Sequence, residues 1–149
     1  MGVTTKSLYD TDFVEWTART AELIREGRLD EVDLDHLAEE IEDLGKSNLA
    51  AVESHLRVML MHLIKRRIQP EKEGASWQRS ITRGRIQIDV RLEHSPSLRR
   101  YLERNLGKIY RKAVKDALRE TGLVGHARAL NIPGECPYTL DELLERDDL

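Results

Sequence analysis

Apolar residues recur at helical spacing along almost the whole chain. This is the tightest constraint on what 149 residues of this kind can fold into. The longest stripe runs through Leu49, Val52, Leu56, Met59, Leu60 and Leu63, widened by Val58, Met61 and Ile64. A helix this apolar belongs at the centre of a core. Leu, Ala, Glu and Arg are abundant and β-branched runs scarce, which also favours helix.

Local signals divide the chain. Asp12 with Glu15 three residues on resembles a capping box, opening a first helix with Phe13, Trp16, Thr17, Thr20, Leu23 and Ile24 on one face; Gly27 stops it. Asp33 caps a second helix whose stripe is Leu34, Leu37, Ala38, Ile41 and Leu44, with Gly45 ending or bending it and Ser47 capping the third. The third ends in Lys65, Arg66 and Arg67, placed well against the helix dipole. Pro70 and Gly74 mark a loop. Ser76 caps a fourth helix to about Glu93, with Trp77, Ile81, Ile88 and Leu92 inward and Gly84 a weak point. Ser95-Pro96 starts a fifth, reaching about Glu120, with Leu98, Tyr101, Leu102, Leu106, Ile109, Ala113 and Ala117 inward; Gly122 stops it. An irregular stretch, 123–137, leads to a second capping box, Thr139 with Glu142, and a short last helix, Leu140 to Arg146. The expectation is one all-α domain, 1–149: an irregular bundle of about five helices plus a short C-terminal helix.

Charge is segregated along this scaffold. Residues 1–56 hold 5 Lys/Arg against 14 Asp/Glu, residues 57–119 hold 17 against 6, and residues 120–149 hold 2 against 7. A formal charge of −3 therefore hides a strongly basic middle. Such asymmetry points to an anionic partner, or to acidic segments folded against basic ones. One cysteine, Cys136, excludes an intramolecular disulfide and suits a reducing cytoplasm. The first ten residues lack the pattern of a signal peptide, and the most apolar stretch, 56–64, is too short to span a bilayer. The reading is a cytoplasmic protein without a membrane partner, for which homo-oligomers are possible.

The basic middle supplies the leading candidate site. Arg79, Arg83, Arg91, Arg99, Arg100, Arg104, Lys108, Arg111, Lys112 and Lys115, with Arg119, lie on the polar faces of the fourth and fifth helices. A cationic ridge on a helix suits phosphates spaced along a nucleic acid. The alternative for the same residues is a solvated face partly neutralised by the acidic second helix. No helix-turn-helix, zinc-finger or aromatic stacking motif accompanies them.

A rival site is a divalent metal held by His36, Glu39, Glu40 and His55. If helices two and three pack antiparallel about Gly45–Ser47, imidazole and carboxylate meet as in metal sites of helical bundles. The spacing is neither Glu-x-x-His nor His-Glu-x-x-His. Apart from that rival, no cofactor is expected. A third reading is a protein-partner module, for example an antitoxin-like component whose acidic second helix or tail docks on a basic partner. Cys136, beside Glu135, is a poor nucleophile, since an acidic neighbour raises a thiol pKa. Trp77 is a core anchor or a platform for a base. No motif identifies a reaction, and the chain reads as a non-enzymatic interaction module.

Ordered blocks along the chain carry a resemblance. They are Tyr9-Asp10-Thr11-Asp12-Phe13 with Trp16, Leu37-Ala38-Glu39-Glu40-Ile41-Glu42-Asp43-Leu44-Gly45, Met61-His62-Leu63-Ile64-Lys65, Ser76-Trp77, Ser95-Pro96-Ser97-Leu98, Glu120-Thr121-Gly122-Leu123 and Cys136-Pro137-Tyr138-Thr139-Leu140. In this order they resemble the family called domain of unknown function 29. The resemblance implies a bacterial, helical protein of about this length. It also implies an aromatic residue after Lys65, where this chain has Arg66. No activity comes with it, so it assigns no catalytic residue.

Overall fold

Six α-helices and three 3-10 turns make up the computed structural model, which describes residues 5–149, the side chains of 5–7 excepted. The helices are α1 (Thr5–Thr11), α2 (Phe13–Arg25), α3 (Leu34–Ile68), α4 (Ala75–His94), α5 (Ser97–Thr121) and α6 (Leu140–Glu145). The class is all-α, with no strand among the described residues. None of these helices is long and apolar enough to cross a membrane. The chain falls into two compact units, Met1–Ser47 and Asn48–Leu149.

In the first unit, Asp12 caps α2 by accepting from the Glu15 backbone N–H at 3.0 Å, as its position in the sequence predicts. Gly27, at φ +73°, takes the left-handed conformation that ends the helix. Trp16, Thr20 and Leu23 are the buried face of α2, and Val32 and Asp33 are buried beyond it. Phe13 and Ile24 stay exposed. Tyr9 of α1 meets Phe13 and Trp16 edge-on, with ring centroids 6.0 and 4.9 Å apart.

Two expectations fail in α3. Gly45–Ser47 is not a turn, because α3 is one helix of 35 residues. Glycine costs about 1 kcal/mol of helix propensity, which a helix of this length absorbs. The stripe of the expected second helix is not a core face either. Leu34 and Ile41 are each 60% exposed and Leu44 is 67% exposed. Ala38 is exposed too, and only Leu37 is half-buried. Periodicity shows that a helix has an apolar face; it does not show that this chain covers it.

In the second unit, the C-terminal half of α3 is the hub. Val52, Leu56, Met59, Leu60, Leu63 and Ile64 form one core with Ile81 and Ile88 of α4, with Leu98, Leu102, Ile109, Tyr110, Ala113 and Ala117 of α5, and with Leu140, Leu143 and Leu144 of α6. Val58, expected inward, is 39% exposed. Gly84 explains itself here. It is buried, and a methyl carbon at that position would stand 2.6 Å from Met59 Cγ and 3.2 Å from the His55 carbonyl oxygen. Only glycine lets α4 approach α3 this closely.

Three ion pairs set the direction of α5 against α3: Glu53 with Lys112, Arg57 with Asp116, and Lys65 with Glu120. The numbers rise together, so the two helices run parallel. Gly122, at φ +72°, ends α5. A 3-10 stretch, Val124–Leu130, leads to Pro133, whose carbonyl accepts from the Tyr110 hydroxyl at 2.6 Å. Thr139 and Glu142 form the expected capping box at the start of α6. Arg85 donates to the carbonyls of Leu143 and Arg146, satisfying acceptors that the end of α6 leaves free.

Candidate nucleic-acid interface

The side chains of α5 sort themselves by direction. Its inward face is Leu98, Leu102, Ile109, Tyr110, Ala113 and Ala117, and Leu118, also buried, lies on the other side, where the 127–134 segment comes near it. Opposite that face stand Arg100, Arg104, Lys108, Arg111, Lys115 and Arg119, all exposed. At 3.6 residues per turn these six lie within an arc of about 100°, and at 1.5 Å per residue they extend over roughly 28 Å. The acids of α5 lie off this arc and are engaged elsewhere: Glu103 with Arg99, Asp116 with Arg57 and Glu120 with Lys65.

Pairing separates the sequence-predicted cations into two groups. Lys112 is bound to Glu53 at 2.9 Å, and Tyr101 donates to the same carboxylate at 2.7 Å. Those two hydrogen bonds hold the Glu53 carboxyl below the usual carboxylate range. Arg99 pairs with Asp141 of α6 and with Glu103. Arg91 folds back on Gln87, donating to its backbone and side-chain oxygens at 3.1 and 2.9 Å. Lys112 and Arg99 thus tie α5 to α3 and to α6, while Arg91 is held within α4. By contrast, the side chains of Arg100, Lys108, Arg111, Lys115 and Arg119 make no hydrogen bond or ion pair among the described residues, and Arg104 makes only a 3.4 Å contact to the Arg100 carbonyl. Arg79 and Arg83 of α4 are likewise exposed, flanking Thr82 and Ile86 on an open surface.

Beside the C-terminal half of the ridge, α5 and the 127–134 segment line an open cleft of about 390 Å³. Val114, Leu118, Ala127, Ile132 and Pro133 line it, and Arg111, Lys115 and Arg128 stand at its edge. Sequence reasoning missed it. Its far wall comes from a stretch without periodicity, and Arg128 carries no motif.

Residues 8–149 match the family described as Domain of unknown function DUF29. The chain belongs to that family. No curated protein and no solved structure matches it.

The other candidate residues of this DUF29 chain are placed differently. His36 Nδ1 lies 2.6 Å from the Asp33 carboxylate, which is buried and also accepts from the His36 backbone N–H. The carboxylate raises the imidazole pKa above its ordinary value. Tyr9 stacks on the His36 ring at 3.8 Å and donates to Glu40 at 2.6 Å. That hydrogen bond, more than any other cause, pushes the Tyr9 hydroxyl up to about 12. His36 and Glu40 thus serve a cap and a stacked ring. Glu39 is exposed. His55 is half-buried, and burial pushes its pKa down. The antiparallel pairing that would bring His55 opposite Glu39 is not made, because both stand on the one continuous helix α3. No group of three or more His, Cys, Asp or Glu side chains suited to a metal occurs among the described residues.

Cys136 donates to the Tyr138 carbonyl at 3.3 Å, and burial pushes its thiol pKa up. Trp77 is half-buried at the start of α4, with the Lys65 ammonium 5.0 Å from its ring centroid. A cation thus occupies one face of the ring.

Proposed function

We propose that this DUF29 protein binds nucleic acid through the exposed face of α5, with Arg100, Arg104, Lys108, Arg111, Lys115 and Arg119 contacting phosphates. The observation carrying this reading is that these cations are aligned, exposed and make no ion pair among the described residues, while Arg99 and Lys112 are committed to the fold by their pairs with Asp141 and Glu53. A stable fold does not require six like charges along roughly 28 Å of one helix; their mutual repulsion weakens it. A polyanion relieves that repulsion and releases its own counterions on binding. Phosphate contacts give position and affinity but little sequence preference, and the ridge carries no Asn or Gln to read base edges.

The test is the variant Arg104→Gln with Lys108→Gln, which removes two charges from the ridge and touches no core residue. Each lost contact makes the dependence of log affinity on log salt shallower by about 0.9 on a duplex, so the pair changes the slope by about 2. An unchanged slope would overturn the assignment.

A second reading rests on α3. An acidic helix that exposes Leu34 and Ile41 fits a basic amphipathic partner helix. Substituting Ile41→Glu is expected to abolish such a complex while leaving nucleic-acid binding unchanged.

A further inference from the structure

The cleft flanking the ridge deepens the nucleic-acid reading, and its assignment rests on that reading. Arg111 and Lys115 belong to both features: they stand on the ridge and at the edge of the cleft. A strand laid along α5 therefore carries its phosphates past an opening whose walls are aliphatic. Val114 and Leu118 of α5 line it on one side, and Ala127, Ile132 and Pro133 of the following segment supply the rest of its apolar surface. Arg128 lines the same cleft as Arg111 and Lys115, so an anion seated there is near three positive charges. The Tyr110 hydroxyl holds the Pro133 carbonyl at 2.6 Å and fixes the far wall to α5. The volume, about 390 Å³, lies within the range of small-molecule sites.

We infer that the preferred ligand is single-stranded nucleic acid, with one unstacked base seated between α5 and the 127–134 segment and its flanking phosphates held by Arg111, Lys115 and Arg128. A duplex keeps its bases stacked inside and presents only sugar and phosphate to the cleft. A single strand can turn a base out into it. Apolar walls accept any base by its flat face, so this contact adds affinity without sequence preference.

The experiment compares a fluorescein-labelled single strand with the duplex of the same sequence, at matched salt. It uses the intact protein and the variant Ile132→Gln, whose fold is checked by its melting curve. The intact protein is expected to bind the single strand about tenfold more tightly, the size of one base contact. Ile132→Gln is expected to reduce that preference several-fold while leaving the salt slope unaltered. A strand carrying 2-aminopurine, added to the intact protein, should brighten as the base leaves its stack. Equal or tighter binding of the duplex with a steep salt slope would overturn the cleft assignment and leave the ridge reading standing. Absence of binding to either form would overturn both.

Discussion

Replacing Gly84 by alanine tests the packing on which the second unit depends. The added methyl would sit 2.6 Å from Met59 Cγ, 3.3 Å from Met59 Sδ and 3.2 Å from the His55 carbonyl oxygen. Met59 is 0% exposed, and the carbonyl belongs to a helix backbone. Overpacking of this kind costs about 1–3 kcal/mol. Alanine returns about 1 kcal/mol of helix propensity, so the net loss is roughly 0–2 kcal/mol, or a fall of up to several degrees in Tm. Gly45→Ala is the matched control. Gly45 lies within α3, is exposed, and has nothing within 4 Å of where its methyl would be. There only the propensity gain remains, and stability should rise by up to about 1 kcal/mol. Thermal and urea unfolding of both variants give the comparison. If Gly84→Ala stabilises the protein as much as Gly45→Ala does, the close crossing of α3 and α4 is wrong.

Two further predictions concern the caps. Because Asp33 raises the folded-state pKa of His36, this pair stabilises the protein fully below the ordinary imidazole value of 6.5, and the stabilisation is lost as pH rises through the raised value. His36→Gln should therefore lower Tm more at pH 6 than at pH 8.5; a difference independent of pH would contradict it. Thr139→Ala removes one half of the capping box of α6 and should cost about 1 kcal/mol, seen as faster hydrogen exchange in residues 140–145 with little change in α5.

Much of the second unit could be read in the sequence because its signals are local and agree with one another. The stripe of α3, the stop at Gly122 and the Thr139–Glu142 box each act within a turn or two of chain. What was not legible depends on distant partners. Whether Lys112 belongs to a ridge or to Glu53, fifty-nine residues away in sequence, is decided only when α5 lies parallel to α3. Gly84 looks like a weakness in α4 until Met59 is found opposite it. Gly45 looks like a stop, yet nothing after it supplies the left-handed residue and turn that a helix end needs, and α3 continues. The reading of His36 with His55 failed with that turn.

The most direct test of the central claim is the affinity of the intact protein for a short single strand, titrated across salt from about 50 to 200 mM. Six phosphate contacts predict a fall in log affinity with log salt of slope about −4 on a single strand. No binding at the lowest salt, or a slope near zero, would mean that the exposed cations of α5 serve something other than a nucleic acid.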